Sequence, residues 1–239
     1  MKKHTVYYNL RDALVREGCP VCHIVLQGIA RYLDGLLYES VNDPGVRKAL
    51  REARGFCNEH AWQLREIGGA LGIAIIHRDV IETVMAFIRR GRYRPTWSLS
   101  LQRLQETLSG DQPVAATADL VAVLEPQKEC PACRQRRIIE DDYLNTLLQH
   151  LDDEALAPTL RTSAGLCLPH FRRALQLVQD EETFRRAVEW QLDCLERLHG
   201  ELDELIRKHD YRFAGEGFGT EGDAWIRAIA QVSGEKGIR

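Results

Sequence analysis

The sequence predicts an all-α protein made of two tandem, pseudo-repeated helical-bundle units. Apolar residues recur at intervals of three and four along most of the 239-residue chain, which is the periodicity of amphipathic helices. Sustained apolar–polar alternation bounded by turn residues, the usual signal of strands, is missing. A set of cysteines and histidines also occurs twice at matched spacing, which indicates a duplicated unit.

The first half predicts five helices, delimited by proline and glycine. Pro20 suits the first turn of a helix, Asp43 and Pro44 form an N-cap followed by a proline at the first helical position, and Gly68 ends a helix. The predicted ranges are 7–18, 21–38, a short helix from Pro44 to Gly55, 57–67 and 70–90.

The second half repeats this plan after a connector rich in proline and serine. The connector contains possible helices at 99–108 and 116–124. The following helices are expected at 131–151, at a short segment capped by Asp152 or Asp153 and ending at Gly165, at 167–178 and at 181–209. We therefore divide the chain into a first repeat (1–92), a connector (93–127), a second repeat (128–209) and a tail (210–239).

The tail predicts a glycine-rich loop and a short amphipathic helix that docks onto the bundles. Asp223 is positioned to cap this helix, and Trp225, Ile226 and Ile229 lie on one side of it. A helix that binds a partner protein is the alternative interpretation.

The duplicated motif consists of a CPxC pair followed by a CxxH pair. The gap between the pairs is 34 residues from Cys22 to Cys57 and 33 residues from Cys133 to Cys167. The i, i+3 spacing of the CxxH pair places both side chains on one helix face, so we expect it to complete the site begun by the CPxC pair of its own copy. The eight candidate metal ligands are Cys19, Cys22, Cys57 and His60 in the first copy, and Cys130, Cys133, Cys167 and His170 in the second.

Three thiolates and one imidazole form the closed tetrahedral ligand set of a structural zinc site. The sequence therefore predicts two zinc ions. Iron–sulfur clusters are an alternative, because thiolates dominate those sites. A second alternative is dithiol redox chemistry, since CPxC also opens a helix in glutaredoxin-like proteins, but there the motif follows a strand and needs no CxxH partner. His23 is a possible substitute ligand, and the seventh cysteine, Cys194, is expected to be a buried core thiol.

Composition argues against several classes of partner. With 32 basic and 35 acidic residues and a net charge of −3, the chain lacks the cationic excess that favours nucleic acid or anionic membranes. No apolar window is long enough for a membrane span, and the first residues do not read as a signal peptide. We expect a cytoplasmic protein, where thiols stay reduced and paired cysteines indicate metal binding more than disulfides.

The chain also resembles a bacterial family of uncharacterised proteins. The resemblance is carried by the paired CPxC and G-(F/L)-C-x-x-H motifs and by an ending that reads KHDYRF at 208–213 and EGDAW at 221–225. The family implies no activity. The residues themselves predict a non-enzymatic, metal-stabilised binding or interaction protein with an unknown protein partner, or else a redox- or metal-responsive protein. The oligomeric state stays open.

Overall fold

The computed structural model describes residues 4–93, 117–213 and 215–238 and confirms the all-α class. No strand occurs within these ranges. The predicted helix at 99–108 lies outside the described residues. The helices, in chain order, are α1 (Thr5–Leu14), α2 (Pro20–Glu39), α3 (Pro44–Glu52), α4 (Asn58–Ile67), α5 (Ala70–Arg90), α6 (Ala118–Leu124), α7 (Pro131–Gln149), α8 (Ala157–Thr162), α9 (Leu168–Leu177), α10 (Glu181–Lys208) and α11 (Ala224–Ser233), with 3-10 turns at Tyr211–Phe213 and Thr220–Asp223.

Side-chain caps fix two of the helix starts. The Asp43 carboxylate accepts a hydrogen bond from the Val46 N–H at 2.8 Å, with Pro44 at the first position of α3. Asp180 caps α10 in the same way through the Thr183 N–H at 2.8 Å. Both contacts satisfy backbone donors that have no partner inside the helix.

The other predicted caps make no side-chain capping bond, although Asp223 does occupy the N-cap position of α11. The Asp153 carboxylate accepts from the Ala155 N–H in a turn that precedes α8, and α8 begins later, where Pro158 fits its first turn. Asp223 makes no capping bond to α11, because its carboxylate instead pairs with Arg227 at 2.8 Å. An arginine one turn along the helix competes successfully for the same oxygen.

The helices form two compact units that do not follow the linear order of the repeats. One unit contains residues 1–30 and 135–239, and the other contains residues 31–134. We call them the outer and the inner unit, after their place in the sequence only. The boundaries differ from those that the repeat predicted, and the four sequence segments stay a prediction.

Each unit has an apolar core of its own. In the inner unit the core is built from α2, α3 and α5, and its buried members are Leu36, Val41, Leu50, Ile76 and Val80. In the outer unit the side chains removed from solvent include Leu10, Leu14, Leu144, Leu147 and Leu156. The tail packs within the outer unit, where α11 contacts α9 and α10. Across the described residues, no helix is both long and apolar enough to cross a membrane.

Candidate metal centres

The eight predicted ligands form two clusters, and each cluster draws its CPxC pair and its CxxH pair from different copies of the motif. Site A consists of Cys19, Cys22, Cys167 and His170, and site B consists of Cys57, His60, Cys130 and Cys133. In each site the four ligand atoms lie within 4.8 Å of one another. The expectation that each copy closes its own site was therefore wrong.

Helix length explains this exchange. Helix α2 has 20 residues and carries the chain about 30 Å away from the Cys19–Cys22 pair at its start. Helix α3, the next element, has nine residues and covers only about 14 Å. Only the four residues 53–56 separate the end of α3 from Cys57, so the chain reaches Cys57 before it has returned over the length of α2.

Local sequence places every ligand at the start of a helix. Cys19 and Cys130 directly precede α2 and α7, which begin at the proline of each CPxC motif. Cys57 and Cys167 are the N-cap residues of α4 and α9, with extended backbones (φ −64°, ψ 167° and φ −64°, ψ 157°) and no side-chain capping bond, which leaves their sulfurs free to bind an ion. Each site thus lies where two helix N-termini meet, and their partial positive charge favours thiolates.

A glycine sets the approach to each CxxH pair. Gly55 and Gly165, each two residues before the cysteine, have φ of +96° and +77°, in the left-handed region that glycine adopts without strain. At Gly165 a side chain would also collide with Cys194, because an ideal Cβ would lie 2.9 Å from the Cys194 Cβ.

In site A the four ligand atoms lie close together and all four residues are buried. The His170 Nδ1 lies 3.4 Å from the sulfurs of Cys19 and Cys22 and 3.2 Å from that of Cys167, and the Cys22 and Cys167 sulfurs are 3.5 Å apart. All four side chains are at most 3% exposed.

In site A the close contacts among the four side chains shift the pKa values of two cysteines in opposite directions. Hydrogen bonds with Cys167 and Cys19, together with burial, raise the pKa of Cys22 far above its ordinary range. Burial also acts to raise the pKa of Cys19, but hydrogen bonds from Cys167, Cys22 and His170 outweigh it and lower this pKa. Neighbouring thiols cannot all ionise unless a cation compensates them, and a bound divalent ion does so. The donor set therefore fits a metal ion.

Site B has the same arrangement but is more exposed. The His60 Nδ1 lies 3.1 Å from the Cys57 sulfur, 3.4 Å from that of Cys133 and 3.7 Å from that of Cys130, and the Cys57 and Cys133 sulfurs are 3.6 Å apart. Cys57 and Cys133 are half-buried, in contrast to every ligand of site A. Burial, followed by the charge of Cys130, raises the pKa of Cys133.

Glu140 is a buried acid that sequence reasoning missed. Its Oε1 lies 3.5 Å from the His170 Nε2, opposite the ligand nitrogen, and 3.3 Å from the Arg136 Nε. Burial lowers the pKa of His170, but hydrogen bonds with Cys167 and Cys19, together with the nearby Glu140 carboxylate, outweigh it and raise this pKa to about 11. The sequence signal was an acid in the apolar stripe of α7, in register with Leu144 and Leu147.

The other candidate residues lie outside both clusters. The His23 Nε2 contacts the Glu17 carbonyl at 2.5 Å, so its ring is engaged by the backbone. Cys194 is 4% exposed and its thiol donates to the Ser163 carbonyl at 3.5 Å, which confirms a core thiol.

Together, the fold and the clusters define an all-helical protein with two groups of three cysteines and one histidine that can each hold a metal ion. Residues 1–237 match the model of DUF6062, a family of unknown function, and the chain belongs to this family. A relative from Caldicellulosiruptor sp. (strain Rt8B.4), described as an uncharacterized 23.9 kDa protein in the xynA 3' region, is 22% identical over 220 residues, which cover 91% of this chain and 96% of the relative. No solved structure matches the chain.

Proposed function

We propose that the protein binds two zinc ions, one at site A and one at site B, and that both ions have a structural role. The protein itself would act by binding a partner protein. The observation that carries the proposal is the mutual spacing of the ligand atoms, at 3.1–3.7 Å between the sulfur and nitrogen pairs measured. Zinc bonds of about 2.3 Å to sulfur and about 2.0 Å to nitrogen place tetrahedral ligands about 3.5–3.8 Å apart.

The same spacing of the ligand atoms favours a single metal ion in each site over an iron–sulfur cluster. In a cluster the ligands are shared among several iron atoms, so the thiolates stand farther apart than ligands of one ion. The four protein ligands also fill a tetrahedral shell and leave no open position for water or substrate, which supports a structural ion over a catalytic one.

Elemental analysis of protein purified under reducing conditions tests this proposal. We expect about two zinc equivalents per chain and no visible absorption, as a closed shell without redox-active metal requires. Less than half an equivalent of any transition metal would overturn metal binding. A brown protein with iron and acid-labile sulfide would instead establish the iron–sulfur alternative.

Activity assays and co-purification experiments test the partner-binding role. We expect no turnover attributable to the metal sites and specific co-purification of a protein partner from the native host. Metal-dependent hydrolysis or electron transfer that is lost in Cys57→Ser and Cys167→Ser variants would contradict a structural role.

A further inference from the structure

We propose that site B is an oxidant-sensitive thiolate site whose reactive residues are Cys57 and Cys133, whereas site A is shielded and permanent. The inference rests on the proposed zinc binding and assigns the two sites different chemistry. It follows from a difference in burial between two ligand sets that are otherwise alike.

The exposure of two ligand residues distinguishes site B. Cys22 and Cys167 have no measurable exposure and Cys19 is 3% exposed, whereas Cys57 and Cys133 in site B are half-buried. Oxidation of cysteine depends on thiolate character and on access for the oxidant. A metal ion supplies thiolate character at both sites, so access decides which of them reacts.

The tail covers site A. The Gln231 amide donates to the Leu166 carbonyl at 2.6 Å, and a Cβ on Gly234 would lie 3.8 Å from the Cys167 sulfur. Ile238 is buried and lines the same small cavity as His170.

A second side-chain amide, that of Gln191 on α10, also binds the backbone of Leu166, the residue before Cys167. The Gln191 side chain accepts from the Leu166 N–H and donates to the Leu166 carbonyl, both at 2.9 Å, and is itself 3% exposed. Reaching the Cys167 sulfur from the side of the tail therefore requires breaking buried hydrogen bonds as well as moving the tail, which opposes attack by an oxidant.

The geometry of site B permits disulfide formation. The Cys57 and Cys133 sulfurs lie 3.6 Å apart, within reach of a modest approach. A peroxide is the oxidant in this scheme: one thiolate attacks a peroxide oxygen to give a sulfenic acid, and the second thiolate attacks that sulfur. One S–S bond forms and the O–O bond breaks, so two thiolates, one hydrogen peroxide and two protons yield one disulfide and two waters. The site loses two anionic ligands and with them its hold on the ion.

The experiment treats the zinc-loaded full-length protein with hydrogen peroxide and follows zinc release with a chromogenic chelator. Differential alkylation and peptide mass spectrometry identify the oxidised cysteines. We expect about one equivalent to leave at least about tenfold faster than the other, with Cys57 and Cys133 oxidised first. Equal release of both equivalents, or earlier oxidation of Cys22 and Cys167, would overturn the inference. A protein that carries no metal fails at the loading step, and that result refutes the proposed function together with this inference.

Two variants on α11 test the cover. Gln231→Ala removes the bond to Leu166 and should accelerate zinc release from site A, while the site B rate stays unchanged. Ile229→Ala on the exposed face of the same helix is the matched control and should alter neither rate. If Gln231→Ala leaves the site A rate unchanged while alkylation still shows Cys22 protected, the tail is not the shield.

Discussion

At the scale of single residues, the chemistry of site A extends beyond its four ligands to Glu140. A carboxylate beside the non-ligating nitrogen of a metal-binding histidine fixes the ring orientation and tautomer and makes the ligand nitrogen more basic. The Glu140 carboxylate occupies this place next to the His170 Nε2.

Replacing Glu140 with glutamine should weaken metal binding at site A by about 10–100-fold. Competition with a chelator of known affinity measures the effect, and site B supplies an internal reference. Asp142→Asn, an exposed substitution on the same helix, is the control and should leave both affinities unchanged. Equal affinities for wild type and Glu140→Gln would show that the carboxylate does not support the ligand.

Gly165 is the residue at which backbone conformation and packing both demand the absence of a side chain. Gly165→Ala should destabilise the fold by about 2 kcal/mol or more, because the φ of +77° is strained for alanine and its Cβ would collide with Cys194. Urea unfolding measures the change.

Gly200→Ala is the matched control for this substitution. Gly200 lies inside α10 with no heavy atom within 4 Å of an added Cβ, so alanine should stabilise the protein by about 0.5–1 kcal/mol. If the two substitutions changed the free energy of unfolding in the same direction, the explanation given for Gly165 would be wrong.

At the scale of elements, the end of α10 is joined to the turn before α11 by an ion pair between the segments 208–213 and 221–225. The Lys208 ammonium contacts the Glu221 carboxylate at 2.7 Å and also donates to the Gly217 carbonyl. The hydrogen bond from Lys208, followed by those from the Gly219 and Glu221 backbone N–H groups, lowers the pKa of Glu221 to about 2. KHDYRF and EGDAW thus contribute one residue each to the same contact.

This depressed pKa makes part of the stability depend on pH. A carboxyl whose folded pKa lies below its unfolded value stabilises the fold above the unfolded pKa, and the stabilisation is lost as pH falls towards the folded pKa. For Glu221 the window runs from its ordinary value of 4.5 down to about 2. Glu221→Gln should therefore be less stable than wild type at pH 7, and the difference should shrink across this window.

Thermal unfolding of wild type and variant at each pH measures that difference. Glu196→Gln, which removes an exposed carboxyl from α10, is the control and should show a difference independent of pH. A Glu221→Gln deficit that stays constant down to pH 2 would refute the assigned role.

Most of the fold was predictable at this scale because helix boundaries depend on local chemistry. The predicted range of α5 coincides with the observed Ala70–Arg90, and the Asp43–Pro44 start of α3 is confirmed. The caps at Asp153 and Asp223 failed because an oxygen placed near a helix start can be engaged by a turn or an arginine instead. Both competitors are close in sequence, since Arg227 stands one helical turn after Asp223 and Ala155 two residues after Asp153, but the motif alone does not say which contact wins.

At the scale of the whole molecule, the eight residues that form the two clusters were predictable from the sequence, but the way their pairs combine was not. Both copies present the same four donors, so motif spacing alone cannot distinguish closure within a copy from exchange between copies. The lengths of α2 and α3 are the sequence feature that favours exchange, because α3 is too short to return over the length of α2.

Paired double variants test the exchange directly. Cys22→Ser combined with Cys167→Ser damages site A alone and should leave about one zinc equivalent, whereas Cys22→Ser combined with Cys57→Ser damages both sites and should leave none. Metal analysis of the folded fraction provides the measurement. The reverse result, with metal retained only in the second pair, would show that each copy closes its own site.

The exchanged pairing has a consequence for the ancestry of the chain. The first CPxC joins the second CxxH at site A, and the second CPxC joins the first CxxH at site B, which is the reciprocal pattern that a twofold axis creates between identical subunits. If the halves descend from one duplicated unit, its single-copy ancestor carried two incomplete half-sites and completed them by pairing with itself. Gene fusion would then have joined the two halves of a metal-bridged homodimer into a single chain with two sites that are free to diverge, one fully buried and one partly exposed.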